Sequence, residues 1–371
     1  MRLDPAIQAL RTGVARSARP TTVLRVQGEH AFDLLDAVSP RPLFLRDGQA
    51  LHTLFLDEGA HPFADVYIAC DDLDYLLFAE GPAPDALIDW LTTRAARPDP
   101  AGNVPARLEF TLTDLTSTHT LVSLDGPYAW ECLGRLVGPE VVGVPYMSLF
   151  FLPTFGGLGL RAGKTGEYGY DLLIPNEALP AFEEALREPA EVFGAEHADL
   201  DVLDLCALEN GFFSIRTPGV ERLTPVELQL QWRVDRRRMF PGRQALEGAR
   251  DANVSRVTWF RGPVGSPPCL PGTVLTLEGD VVGEVLVART SGMLDAPVGQ
   301  ALLTRAVAHP GLTLHAGGNP SPLWTVSAPV LQNRSLFVNA QRHAWASRGV
   351  DTFPPITQPW SGPTGGRGGA G

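Results

Sequence analysis

The first half of the chain alternates between strand-like and helix-like patterns of apolar residues. Residues 22–27 alternate apolar and polar positions like a strand, and Ala31, Leu34, Leu35 and Val38 then share one helical face. Further strands are predicted at 51–56, 65–70, 74–79, 107–113 and 120–124, and further helices at 84–96 and 128–136. The succession β-α-β-β-α-β is typical of ferredoxin-like units, so we predict an α+β fold with two related subdomains.

The second half of the chain begins with mixed strand and helix patterns and ends with strand patterns alone. A strand is predicted at 170–174, helices at 179–187 and 200–211, a strand where Leu228, Leu230 and Trp232 alternate, and a helix from residue 240. From residue 254 onward, short strands separated by Gly and Pro predict a small β-barrel or jelly roll. We therefore divide the chain into an α+β region at residues 1–250, a barrel domain at 251–350 and a flexible tail at 351–371.

Composition narrows the class of protein. A hydrophobic fraction of 44% with 19% charged residues is that of a globular protein with a sizeable core. The net charge of -12 argues against a nucleic-acid or anionic-membrane surface. The four cysteines are far apart and lack metal-ligand spacing, and the N-terminus lacks an apolar signal segment. We therefore expect a cytoplasmic protein with reduced thiols and no metal.

The loop at residues 161–175 is the densest cluster of candidate chemistry. It spaces Gly163, Gly166 and Gly169 three residues apart, which allows positive φ and close approach of another group. Glu167 and Asp171 follow the glycines as the chain enters a strand. A carboxylate there can reach a cavity from a rigid scaffold. The same sequence pattern is also typical of an ordinary turn in which Asp171 is exposed to solvent.

This loop resembles the R-x-G-Y-T-G-E-x-G-[FY]-E loop of the glycine-cleavage T-protein (aminomethyltransferase) family. Seven positions match: Arg161, Gly163, Thr165, Gly166, Glu167, Gly169 and Tyr170. Lys164 replaces an aromatic residue and Asp171 replaces a Glu. The runs LTPVELQLQWRVD and FPGRQALE and the barrel segments around residues 283–302 also resemble this family. The resemblance implies a three-domain cloverleaf of two ferredoxin-like subdomains plus a C-terminal antiparallel β-barrel.

The resemblance also implies a site. In this family tetrahydrofolate lies in a central hole between the domains, beside an Asp that stabilises positive charge during one-carbon transfer. Asp65 is the surviving carboxylate of that segment, and His61 on the same loop is either an acid-base group or a solvated residue. Asp171 aligns with the pterin-binding Glu. The cofactor-binding candidates are Asp171, Glu167, Tyr170, His52, Arg161 and Trp232.

Several departures from the family leave the activity open. Ala64 stands at the first Asp position, Ala207 replaces an Arg, and Ala79 and Glu80 replace an Asn. We expect a tetrahydrofolate-dependent enzyme that acts on a small one-carbon donor. The alternatives are a non-catalytic folate-binding protein and the same fold turned to a different ligand in a specialised biosynthetic pathway. A carrier protein is compatible with the resemblance, but no residue supports one.

Overall fold

The computed structural model describes residues 3–96, 108–251, 254–317 and 321–357. Within them the chain forms seven α-helices and seventeen strands. The helices are α1 Pro5–Thr12, α2 Ala31–Val38, α3 Pro84–Ala95, α4 Ala129–Val137, α5 Leu179–Val192, α6 Leu200–Asn210 and α7 Arg243–Asp251. In the described part of the chain, none of the helices has the length and apolar character needed to cross a membrane. Residues 358–371 of the predicted tail and residue 107 of a predicted strand lie outside the described residues.

The strands form two open sheets and a barrel. They are β1 Ala15–Ser17, β2 Thr22–Gln27, β3 Ala50–Leu56, β4 Pro62–Asp71, β5 Asp74–Glu80, β6 Thr111–Asp114, β7 His119–Asp125, β8 Leu149–Leu152, β9 Gly157–Leu160, β10 Gly169–Pro175, β11 Glu196–Ala198, β12 Ser255–Arg261, β13 Val274–Leu277, β14 Asp280–Ser291, β15 Ala296–Thr304, β16 Thr313–Ala316 and β17 Pro322–Val326.

The first sheet is antiparallel, with the strand order β3-β4-β5-β2-β6. One face packs against α2 and α3, and the helical face predicted from Ala31, Leu34, Leu35 and Val38 is buried there. Proline at the first position of α3 suits a helix start, because that residue's N–H would have no partner within the helix. The sheet places β4 in its interior, so the middle of β4 is buried.

The second sheet has the order β11-β1-β7-β10-β9-β8, with β1 and β11 parallel and the other pairs antiparallel. Strand β7, predicted at 120–124, belongs to this second sheet and pairs with β1 and β10. It is apolar on both faces: Val122 and Leu124 enter the core under α4 and α5. Leu121 joins an apolar layer shared with the first sheet. The two sheets therefore pack face to face through that layer.

The C-terminal region closes into a six-stranded antiparallel barrel, in the order β12-β15-β14-β13-β16-β17. Its interior is filled by inward-facing apolar residues, including Phe260, Leu275, Val285, Leu303 and Leu314. The short strand patterns separated by Gly and Pro after residue 254 therefore predicted the barrel correctly.

The strand expected from Leu228, Leu230 and Trp232 is wrong. The segment forms turns and a short 3-10 helix at Gln231–Arg233. Gln229 has a positive φ of 59°, which an extended strand cannot accommodate. Leu228 and Leu230 are buried, while Trp232 is 64% exposed. The apolar positions at 228 and 230 therefore reflect burial of an irregular segment and do not mark one face of a strand.

Arg11 on α1 holds several distant segments together. Its side chain is fully buried, and its guanidinium donates to Glu209 Oε2 on α6 at 2.5 Å and to the Thr165 carbonyl at 2.7 Å. It also donates to Asn333 Oδ1 at 2.9 Å and lies 3.6 Å from Glu167 Oε1. One cation thus joins α1, the central loop (residues 161–168), α6 and the C-terminal segment that follows β17 (residues 327–357).

We predict that Arg11→Met strongly destabilises the fold. The variant keeps an apolar chain of similar length but leaves Glu209 and Glu167 buried without their cation, which typically costs about 3–5 kcal/mol. Urea denaturation measures this loss. The control is Arg187→Met, which breaks an exposed pair with Glu184 and should change stability little. Equal effects of the two substitutions would contradict the role given to Arg11.

Candidate functional site

A cavity of about 760 Å³ lies where the two sheets and the barrel meet. Its volume is within the range of about 300–1,000 Å³ that small-molecule sites occupy. The wall combines β3, the turn after α6, residues 228–233 and the barrel. Among its lining residues are Arg41, His52, Tyr146, Trp232, Arg233 and Trp259. The cavity therefore draws on all three parts of the fold.

The central loop that passes behind this cavity depends on a glycine in the left-handed region. Gly166 has a φ of +81°, and a Cβ there would lie 2.4 Å from Asn210 Oδ1 and 2.5 Å from Asn333 Nδ2. The loop is also held through the Thr165 carbonyl, which accepts from Asn210 Nδ2 at 2.9 Å. Lys164, the residue before Thr165, has its side chain buried in the protein interior.

Asp65 on β4 lies at the centre of a buried ionic cluster. Its side chain is fully buried, and Oδ2 accepts from Lys164 Nζ at 2.6 Å. Oδ1 lies 2.7 Å from His52 Nε2 and 3.3 Å from Arg233 Nη1. Burial alone would raise the pKa of Asp65, but Lys164, His52 and Arg233 outweigh it, so the pKa lies well below its usual range. Asp65 is therefore a permanently charged group that reaches the cavity only through its partners.

His52 on β3 connects Asp65 to the cavity. The ring stacks on Tyr67 with 4.3 Å between centroids and lines the cavity wall. Burial lowers the pKa of His52, with the cations Arg233 and Lys164 adding to the effect against the attraction of Asp65. The ring is thus neutral near pH 7. Its hydrogen bond to the carboxylate assigns the proton to Nε2 and leaves Nδ1 as the basic nitrogen.

The carboxylate of Asp171 on β10 is already paired with another residue of the chain. It is only 2% exposed, which excludes the solvated turn as an account of this residue. Arg19 Nη2 contacts both carboxylate oxygens, and Ser123 Oγ donates to Oδ1 at 2.6 Å. The carboxylate is absent from the residues that line the cavity. Its geometry, as the structure gives it, serves an internal ion pair.

Glu80 at the end of β5 links the Asp65 and Asp171 groups. It accepts from Lys164 Nζ at 2.8 Å, pairs with Arg216, and lies 3.7 Å from Arg19. Burial alone would raise its pKa, but Lys164, Arg19 and Arg216 together lower it to about 2. Four carboxylates in this region, Asp65, Glu80, Asp171 and Asp204, are thus matched by four cations, Lys164, Arg233, Arg19 and Arg216.

Two other candidates have structural surroundings. Glu167 accepts from the backbone N–H groups of Arg334 at 3.1 Å and Ser335 at 2.7 Å, and it fastens the C-terminal segment to the central loop. Burial raises its pKa, against the opposing effect of Arg11. Tyr170 is 1% exposed and packs edge-on against Phe150 in the core.

The remaining candidates are spread out. Arg161 donates to the Val144 carbonyl and lies over the ring of Tyr168 at 5.2 Å. Trp232 lines the cavity, with Arg233 stacked 5.0 Å from its ring. His61 bonds within its own turn to Asp57, and the described cavity wall does not include it. Of the sequence candidates, the structure brings His52 and Trp232 to the cavity wall, and Asp65 lies behind the wall in contact with His52.

Sequence patterns left three important partners unassigned. Lys164 is the only lysine in a chain of 30 basic residues, and this was a usable signal for a special role. Arg19 and Arg233 carry no such signal, because they are two of many arginines and their carboxylates lie 152 and 168 residues away in the chain.

Asp125 is a further buried carboxyl beside the cluster. Its Oδ1 accepts from Thr165 Oγ1 at 2.9 Å. A void of about 10 Å³, bordered by Asp125, Ala207, Arg19 and Lys164, lies next to it. Burial raises the pKa of Asp125 to about 7, and Asp171 adds to the rise while Arg19 opposes it.

Metal and disulfide chemistry have no support in the described part of the chain. No group of three or more His, Cys, Asp or Glu side chains among residues 3–96, 108–251, 254–317 and 321–357 could hold a metal ion. Cys70, Cys132, Cys206 and Cys269 are all buried and far apart in the fold's separate cores, in keeping with the reduced thiols expected from their spacing.

Comparisons with known proteins agree with this architecture. The family model described as GCVT N-terminal domain matches residues 10–238. An aminomethyltransferase of Chlorobaculum parvum is 30% identical over 296 residues, which cover 77% of this chain and 78% of that protein. A mitochondrial aminomethyltransferase of Canis lupus familiaris is 29% identical over 203 residues, covering 53% of this chain and 50% of that protein.

A solved structure shares the fold. The crystal structure of glycine cleavage system aminomethyltransferase T from Bartonella henselae has a TM-score of 0.75 at 22% sequence identity. The match covers 89% of each chain. At this identity the likeness establishes the fold, and it confirms the three-part arrangement with a C-terminal barrel.

We predict that Asp125→Asn flattens the pH dependence of stability. The unfolded carboxyl releases its proton near its ordinary value of 3.8 and the folded one near 7. The contribution of Asp125 to the free energy of unfolding therefore falls as pH rises from 4 to 7, at about 1.4 kcal/mol per pH unit. Urea denaturation at several pH values should show a smaller fall for the variant. The exposed control Asp280→Asn should follow the parent, and a parallel Asp125→Asn curve would refute the prediction.

Proposed function

Because the chain belongs to the glycine-cleavage T-protein family, we propose that it is a transferase that moves a one-carbon unit between a small donor and a reduced folate in the central cavity. The relatives are named aminomethyltransferases, which supports a transferase at the level of the family. The observation that carries the proposal for this chain is the His52–Asp65 pair, which places a neutral, oriented base on the wall of a ligand-sized cavity.

The cavity residues fit a folate in size and in their aromatic surfaces. The volume of about 760 Å³ is ample for a folate-sized molecule, and Tyr146 and Trp232 offer aromatic faces on which a flat heterocycle could stack. They do not fit the mode of binding that the resemblance implies at Asp171, because Arg19 and Ser123 occupy that carboxylate. We therefore propose that Tyr146 and Trp232 hold the ring and that Asp171 does not bind it directly.

When bound, a reduced folate would supply the nitrogen that forms the new bond to the one-carbon unit. His52 Nδ1 would accept the proton lost by that nitrogen as it bonds to the one-carbon unit, while the bond between that carbon and the donor breaks and its electron pair leaves with the donor group. The same proton would then pass to the departing donor group. Asp65 fixes the tautomer of His52 and stabilises the imidazolium that forms. Lys164 keeps Asp65 ionised and fixed in place. In this assignment His52 is the catalytic residue and Asp65 and Lys164 are positioning residues.

A second candidate function has an observation of its own. The Arg19–Asp171 pair removes the carboxylate that would recognise the amino-bearing edge of a pterin. This favours the use of the same cavity for a different flat ligand, without folate. Tetrahydrofolate binding separates the two functions.

We predict that tetrahydrofolate binds the full chain in isothermal titration calorimetry. His52→Gln should retain affinity within about threefold but lower one-carbon transfer by about 10²–10⁴-fold, the usual contribution of a general base. Transfer is measured as consumption of tetrahydrofolate with a panel of aminomethyl and N-methyl donors. Asp65→Asn should lower the rate and shift its pH profile, because the tautomer of His52 is no longer fixed.

The control is His315→Gln on barrel strand β16, which should leave binding and transfer unchanged. Absence of tetrahydrofolate binding to the parent protein would contradict the proposed function. Full transfer activity in His52→Gln would remove His52 from the mechanism and leave folate binding intact.

A further inference from the structure

The charged side chains on the cavity wall have one sign. Among the described residues that line it, the charged groups are Arg41 and Arg233, accompanied by His52 and His309, and no Asp or Glu lines it. The carboxylates of the ionic cluster lie behind the wall and are already paired with cations. A ligand that enters the cavity therefore meets Arg41 and Arg233 but no carboxylate among the described residues that line the wall.

Arg41 and Arg233 contact the same residue, His52, from different segments of the chain. Arg41 Nη1 donates to the His52 carbonyl at 3.2 Å, and Arg233 Nη1 lies 3.4 Å from His52 Nε2. Burial lowers the pKa of Arg41, and the charge of Arg233 lowers it further. Two guanidinium groups held near each other on a cavity wall are stabilised by an anion between or beside them.

Arg233 is a largely buried cation next to an exposed aromatic ring. Its side chain is 3% exposed, whereas Trp232 is 64% exposed. Trp232, stacked beside this guanidinium, adds a flat apolar surface next to the positive charge.

The contacts of Asp65 also favour an anionic ligand over a cationic one. A free carboxylate at that place would favour a cationic amine, but Lys164, His52 and Arg233 already contact both oxygens of Asp65. A further positive charge would gain little attraction from Asp65 and would be repelled by Arg41 and Arg233.

We propose that Arg41 and Arg233 form an anion subsite and that the ligand or one-carbon donor bound in the cavity carries a carboxylate next to a flat, apolar group. This names the substrate class of the proposed function and rests on it for the type of reaction. The charge preference itself is a property of the cavity wall and can be tested without a reaction.

The test uses two probes with the same ring and opposite charge, indole-3-acetate and tryptamine, in isothermal titration calorimetry with the full chain. Indole-3-acetate should bind at least about tenfold more tightly than tryptamine, since a single charge at an effective dielectric near 20 accounts for such a difference. Arg233→Gln should reduce that preference. Arg41→Gln should do the same without removing a partner from Asp65, which keeps the test valid if Arg233→Gln fails to fold.

The matched control is Arg289→Gln, which removes an arginine that pairs with Asp201 away from the cavity wall and should preserve the preference. Equal binding of the two probes, or tighter binding of tryptamine, would overturn the inference. So would a preference that survives Arg41→Gln in a folded protein.

Tetrahydrofolate binding, measured in parallel, separates this inference from the proposed function. Selectivity for indole-3-acetate in a protein that does not bind tetrahydrofolate would support the anion subsite and refute folate-dependent transfer. Tetrahydrofolate binding without a preference for indole-3-acetate over tryptamine would support folate-dependent transfer and refute the anion subsite.

Discussion

The neutralisation of buried carboxylates is the constraint on which this structure depends. Asp65, Glu80 and Asp171 are each at most 4% exposed and come from interior strands of two different sheets. An ionised carboxylate in such a position is stable only when a cation and hydrogen bonds compensate its lost hydration. The chain supplies Lys164 between Asp65 and Glu80, and Arg19 on Asp171. The first sheet, the second sheet and the central loop are therefore joined by charge as well as by apolar packing.

This constraint also decides what the cavity can offer a ligand. Because the acids are matched behind the wall, the groups that face the cavity include the imidazole of His52, the guanidinium groups of Arg41 and Arg233, and aromatic rings. The family fold is retained, but Asp171, the carboxylate that the resemblance assigns to the pterin, is paired with Arg19 in the protein interior. We propose that chemistry in this cavity depends on a neutral base oriented by a buried carboxylate, and that recognition depends on positive charge.

The fold was largely predictable from the sequence because its signals are local. Period-two and helical patterns located most strands and helices, and the loss of helix signals after residue 254 identified the barrel. The error has a physical cause. The run at residues 228–232 imitated a strand because its buried and exposed residues alternate, while Gln229 has a left-handed backbone.

The candidate site was less predictable because ion pairing is a long-range property. Sequence placed Asp65, His52 and Trp232 near the cavity through the family resemblance, but no local pattern indicates that Arg19 contacts Asp171. Whether a carboxylate is available to a ligand depends on such partners. The single lysine was the one partner that composition marked, since a chain that otherwise uses arginine retained a compact ammonium between two carboxylates.

That lysine allows the most direct measurement of the buried ionic cluster. Labelling the protein with ¹⁵N at lysine Nζ gives a signal from Lys164 alone, because the chain contains no other lysine. If Lys164 is held between Asp65 and Glu80, its ammonium protons should exchange slowly with water and give a sharp ¹H–¹⁵N correlation at neutral pH, broadened or shifted in Asp65→Asn. A signal lost to rapid solvent exchange, as for an exposed lysine, would contradict the account.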